Sequence, residues 1–116
     1  MNEFDTPIFK KSYDLYKTFY GYRADVPKQD RYTIWQKCET LMLEILEAIL
    51  LAGQTAKAAK VPILEGASSK LNFLRVFIRL MSDVKAIDNK KYLALESGVD
   101  EIGRMLGGWI KSSKER

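Results

Sequence analysis

Apolar side chains recur along this chain at steps of three and four, the spacing that gathers them on one face of an α-helix, and prolines or polar clusters separate four such stretches. The first helix is predicted from about Ile8 to Tyr22, with Phe9, Tyr13, Tyr16 and Phe19 or Tyr20 as its stripe. An aromatic stripe at this spacing is expected in a core rather than as a stacking platform for bases. Asp25 to Asp30 is a loop by composition, and Asp30 is expected to cap a second helix from about Arg31 to Lys60. The main stripe of that helix is Ile34 or Trp35, Cys38, Leu41 or Met42, Ile45, Ile49 and Ala52, and Leu43, Leu46 and Leu50 make a second row.

Val61-Pro62 ends that pattern, so a third helix is expected from about Ile63 to Ile87, with a loose first turn near Gly66. Its apolar residues span roughly 220° of the helical wheel, more than one core contact uses. Asn72, Arg75 and Arg79, with Ser68 and Ser82, fill the remaining polar sector. Asp88 is placed to cap a fourth helix from about Asn89 to Ser112, whose seam of Tyr92, Leu95, Val99, Ile102, Leu106 and Trp109 alternates steps of three and four. The short connection makes helices three and four antiparallel neighbours. Gly98, Gly103, Gly107 and Gly108 each cost about 1 kcal/mol relative to alanine in a helix. Either a partner backbone approaches along Gly103 and Gly107, or the helix stops at Gly107-Gly108. The pattern therefore predicts an all-α, antiparallel four-helix bundle in one domain, and the surplus apolar surface on helices two and three predicts a homo-oligomer.

Composition narrows the function. At 116 residues and 47% hydrophobic the chain can bury a core unaided, and Cys38, its only cysteine, is expected to be a packing residue in a reducing compartment. The acidic start Met1 to Asp5 lacks the features of a secretory leader, which predicts a cytoplasmic protein. The longest apolar run free of charge, Ala48 to Gly53, is too short to span a membrane. With no histidine, His-based acid–base chemistry and Glu-x-x-His metal pairs are excluded. A single cysteine cannot supply a zinc cluster, and Gly103 to Gly108 lacks the lysine of a phosphate loop. Glu39, Glu44 and Glu47 read as a solvated face, and Asp83, Asp100 and Glu101 as ion-pair partners. Neither an enzyme nor a cofactor is expected.

The net charge of +4 permits nucleic-acid binding without establishing it. Arg75 and Arg79, four residues apart, share the polar strip of helix three and suit phosphate oxygens; pairing with acidic groups of a neighbouring helix is the alternative. Arg104, Lys111 and Lys114, with Lys90 and Lys91, either extend a basic surface or serve as helix-terminal charges.

The segment Val26-Pro-Lys-Gln-Asp-Arg-Tyr32 resembles the loop entering the second helix in the small four-helix-bundle family related to ribosomal-RNA intervening-sequence proteins. Lys70-Leu-Asn-Phe-Leu-Arg-Val-Phe-Ile-Arg-Leu80 and Glu101-Ile-Gly-Arg-Met-Leu-Gly-Gly-Trp-Ile-Lys111 resemble the accessory variability determinant (Avd) family of diversity-generating retroelements, and the combined pattern runs from Pro7 to Lys111. That resemblance implies a four-helix bundle assembled into a pentameric barrel, which binds a reverse transcriptase and engages RNA or DNA during mutagenic copying, with no catalysis of its own. Arg75, Arg79, Arg104 and Lys111 match basic positions of the family's motifs and become candidates for nucleic-acid or polymerase contact. The alternative is a bundle of the wider intervening-sequence family that binds proteins and has no retroelement role. Because the chain carries only four net positive charges, a strong field would require oligomerisation to gather the basic strips.

Overall fold

The computed structural model describes residues 6–115, so the acidic stretch Met1 to Asp5 lies outside the described residues. Helix α1 spans Pro7–Gly21 and a single 3-10 turn, Arg23–Asp25, follows it; the one-turn α2 spans Lys28–Arg31, α3 Ile34–Gly53, α4 Lys57–Asp83 and α5 Asn89–Lys114. The four long helices form a rod of 48 × 23 × 22 Å. Helix α3 packs on α4, α4 on α5, and α1 closes the square against α3 and α5. Side-chain pairs report the directions. Arg75 meets Asp100 and Glu65 meets Lys114 across α4 and α5, and Tyr16 meets Glu39 and Phe19 meets Trp35 across α1 and α3, so positions rise along one helix as they fall along its neighbour. Glu44 meets Lys70 across the short turn from α3 to α4. The bundle is antiparallel.

Local chemistry sets the helix ends. Thr6 caps α1 by accepting from the Phe9 amide, and Pro7 follows at the first position, where its missing N–H costs nothing. Asp88 caps α5 as expected, its carboxylate accepting from the Lys91 amide at 2.8 Å. Asp30 does not cap the second long helix. It lies inside α2, and α3 begins only after Thr33, which makes no side-chain cap. The connector is held instead by Arg31, whose guanidinium donates to the carbonyls of Val26 and Ala24 at 2.9 and 3.1 Å. That clamp fixes the buried Val26, and Tyr32 accepts from Arg23 on the outside.

The expected break at Val61-Pro62 also moves. Helix α3 ends at Gly53, where Ala52 is the last buried position and the Thr55 hydroxyl takes the Leu51 carbonyl at 2.6 Å. Helix α4 then starts at Lys57 and runs through Pro62 and Gly66. The proline is tolerated because it stands on an exposed face one turn into the helix, where water can serve the Ala58 carbonyl that loses its donor. At the other end of α4, Lys85 adopts φ 64°, and the amides of Lys85 and Ala86 bond back to Ser82 and Met81, terminating the helix in the manner usually given to glycine. Helix α5 continues through Gly107 and Gly108 to Lys114, so those glycines do not end it.

The core takes one stripe from each long helix. Leu64, Ala67, Leu71, Leu74, Ile78 and Met81 of α4 meet Cys38, Leu41, Ile45 and Ile49 of α3 and Leu95, Val99, Ile102 and Leu106 of α5. From α1 the buried residues are Ile8, Phe9, Ser12, Leu15 and Phe19, not the tyrosines, and Phe19 stacks on Trp35 with ring centroids 4.5 Å apart. Ser12 is accommodated because its hydroxyl donates to the Ile8 carbonyl. Burial pushes the Cys38 thiol up to about 12. The native protein is therefore expected to resist a thiol reagent at neutral pH and to react stoichiometrically once unfolded in denaturant; fast labelling of the folded chain would contradict this burial.

Candidate nucleic-acid interface

Two of the four basic candidates share a groove. Arg75 and Arg79 line a cleft of about 260 Å³ between α4 and α5, opposite Tyr92, Glu96 and Asp100. Arg75 is engaged there: its Nη1 donates to Asn72 at 2.9 Å and its Nε to Asp100 at 3.4 Å. This is the acidic pairing with a neighbouring helix that the sequence held as an alternative to phosphate contact. Both side chains of the Arg75–Asp100 pair are more than a third exposed, so it contributes at most about 1 kcal/mol and can be exchanged for another anion. Arg79, one turn on, is exposed and makes no ion pair among the described residues. The Tyr92 hydroxyl donates to Glu96, which raises the tyrosine pKa, while the nearby Arg79 charge lowers it.

Arg104 and Lys111 lie elsewhere. Seven residues apart, they stand on the outer face of α5 about 10.5 Å from each other along its axis, and both are exposed. Lys90, two heptads before Arg104, falls near the same line. The carboxylates flanking this line are occupied: Glu96 by Tyr92, Asp100 by Arg75, and Glu101 by Lys11 at 3.0 Å. Arg104 and Lys111 make no ion pair among the described residues, whereas the Lys90 charge acts on the nearby Asp88 carboxylate.

The glycines of α5 divide by the same geometry. A Cβ on Gly103 would come within 2.6 Å of Arg75 Nη2, and one on Gly98 within 2.8 Å of Leu15 Cδ1. Gly103 thus lets Arg75 lie across α5 towards Asp100, and Gly98 lets α1 approach; close packing inside the chain accounts for both. Gly107 and Gly108, between Arg104 and Lys111, face open space. The sequence signalled that glycine was needed, but the contact that needs Gly103 arises only when two helices meet.

A second surface lies where the aromatic stripe of the first helix predicts core. Tyr13, Tyr16 and Tyr20 of α1 and Leu43 and Leu46 of α3 line a shallow groove of about 520 Å³. Tyr13 and Tyr20 are 48% and 62% exposed. Tyr16 sits deeper, and burial together with its 2.9 Å bond to Glu39 pushes its pKa up to about 12. A third exposed surface is the apolar row Phe73, Val76, Leu80 and Val84 along α4, each residue between 42% and 63% exposed.

The described residues contain no cluster of histidine, cysteine or carboxylate side chains able to hold a metal, and no helix among them is long and apolar enough to cross a membrane. The glycine geometry yields a direct test. Gly107→Ala is expected to raise stability by up to about 1 kcal/mol, since nothing opposes the new methyl group. Gly103→Ala is expected to gain less, because the Arg75 guanidinium must move. Equal shifts in denaturation midpoint for the two variants would show that Gly103 makes no room for Arg75.

Among curated proteins none matches this sequence. The family model described as bAvd-like matches residues 7–113, which is nearly the whole chain and all four long helices. The match takes in both segments that resemble Avd and the basic positions just placed on α4 and α5. The chain belongs to the bAvd-like family, the bacterial Avd proteins, which are generally non-catalytic accessory proteins of diversity-generating retroelements.

Proposed function

We propose that this chain is a non-catalytic subunit of a diversity-generating retroelement that self-associates, binds the element's reverse transcriptase and holds RNA or DNA during mutagenic copying. The observation that carries the nucleic-acid part is the unequal pairing of charge on α5. Glu101 and Asp100 beside the outer line are paired with Lys11 and Arg75, and Glu96 is hydrogen-bonded by Tyr92 but keeps its charge, while Arg104 and Lys111 stand on an open face with no ion pair among the described residues. Two cations about 10.5 Å apart along a rigid helix are placed to contact separate phosphates of one backbone. Arg79 adds a third cation with no ion pair among the described residues, on the adjoining groove. Arg75 joins only by exchanging Asp100 for a phosphate or a polymerase carboxylate.

Self-association has separate support. The α4 row of Phe73, Val76, Leu80 and Val84 is a continuous apolar ridge with no cation on it, the composition expected at the centre of a subunit interface. The pentameric ring implied by family resemblance would cover this ridge and repeat the α5 line around the assembly, raising the local field of a chain whose own charge is only +4.

Light-scattering mass followed by titration with labelled RNA and DNA at two salt concentrations tests both parts. The wild type is expected to run near five times its chain mass and to lose affinity steeply as salt rises. Phe73→Glu with Leu80→Glu is expected to reduce the mass to that of a monomer. Arg104→Glu with Lys111→Glu is expected to keep mass and helicity but to weaken binding and flatten the salt dependence. An intact oligomer that binds neither nucleic acid would reject the nucleic-acid role and favour a protein-interaction bundle.

A further inference from the structure

The outer face of α1 carries a pattern that the α5 line does not explain. Lys10, Tyr13, Lys17 and Tyr20 follow one another at steps of three, four and three, so they share one exposed strip of the helix. Cation and aromatic ring alternate along it. Lys17 Nζ lies 5.6 Å from the centre of the Tyr13 ring, and neither Lys10 nor Lys17 pairs with a carboxylate among the described residues. Beneath the strip, Tyr16, Leu43 and Leu46 form an apolar floor. The nearest acid on that floor, Glu39, is occupied by the Tyr16 hydroxyl, and Asp14, four residues after Lys10 and three before Lys17, borders the strip on the side of α1 away from Tyr16 and makes no ion pair with either lysine.

We propose that this strip binds single-stranded nucleic acid, stacking bases on Tyr13 and Tyr20 and placing phosphates against Lys10 and Lys17. Exposed rings offer a flat face to any base, and ammonium groups beside them meet the backbone of the same strand. Tyr13 and Tyr20 are about 10.5 Å apart along the axis, far more than the ~3.4 Å between stacked bases, so each ring takes its own base. A duplex keeps its bases stacked inside and cannot use the rings. A second copy of the chain is the poorer occupant: lysine is depleted at the centres of protein interfaces, and the cation-free ridge on α4 supplies the contrast. This site rests on the nucleic-acid role proposed above and deepens it, since it lies across the bundle from the α4–α5 groove and selects unpaired strands.

Fluorescence anisotropy with a labelled oligothymidylate, a labelled oligouridylate and a duplex of matching length tests it on the full chain. The wild type is expected to prefer the single strands. Tyr13→Ala with Tyr20→Ala is expected to weaken single-strand binding at least tenfold, leaving duplex affinity, helicity and assembly mass unchanged, while Tyr13→Phe with Tyr20→Phe keeps the affinity. Lys10→Gln with Lys17→Gln is expected to lower the slope of log affinity against log salt by about 1.4. Single-strand binding unchanged in the alanine pair would overturn the site while leaving the α5 role standing. A fall in assembly mass would give the strip to a second copy and overturn it too. A wild type that binds none of the three probes would remove the nucleic-acid role itself, and this site with it.

Discussion

A helix in a four-helix bundle can bury only a stripe a little over 100° wide against its neighbours, and this chain carries more apolar and aromatic residues than four such stripes hold. The core is complete without them. Leu64, Leu74, Met81, Leu95 and Val99 are shut off from water, and Cys38 and Phe19 leave no surface exposed. What remains is sorted onto separate outer faces: a bare apolar ridge on α4, a lysine–tyrosine strip on α1, and a line of cations on α5. Each face differs in chemistry, and the proposed division of labour follows from that difference.

Charge pairing refines the picture more than net charge does. An excess of +4 over 116 residues is unremarkable in itself. Its placement matters, because Lys11, Arg75, Lys70 and Lys114 are matched by carboxylates whereas Arg79, Arg104 and Lys111 have no ion pair among the described residues. The exposed pairs contribute little to stability. On the flanks of α5, Lys11 and Arg75 offset Glu101 and Asp100, while Glu96 keeps its charge under the Tyr92 hydrogen bond.

Much of the fold was legible because it depends on local pattern. The core stripes of α3 and α5, the antiparallel order and the Asp88 cap all follow from residues within a few turns of one another, whereas the wide apolar arc of α4 does not tell which of its residues are buried. Misplaced features depend on what lies across the bundle or outside it. Pro62 reads as a breaker until its face is known to be exposed. Asp30 reads as a cap, but the Arg31 clamp on Val26 and Ala24 settles the connector first. Helical spacing alone cannot tell whether Phe9 and Phe19 or Tyr13 and Tyr20 face inward; the packing of Phe19 on Trp35 decides it. Arg75 and Arg79 look equivalent four residues apart, yet Asp100 and Gly103 on the next helix hold only the first.

Separate surfaces for assembly and for nucleic acid are the centre of this account, and hydroxyl-radical footprinting read residue by residue tests them in one experiment. The free assembly is expected to protect Phe73 and Leu80 while leaving Tyr13 and Tyr20 reactive, and adding a single-stranded oligonucleotide is expected to protect the two tyrosines without altering the α4 ridge. Tyrosines already protected in the free assembly, or a ridge that stays reactive at every protein concentration, would contradict it.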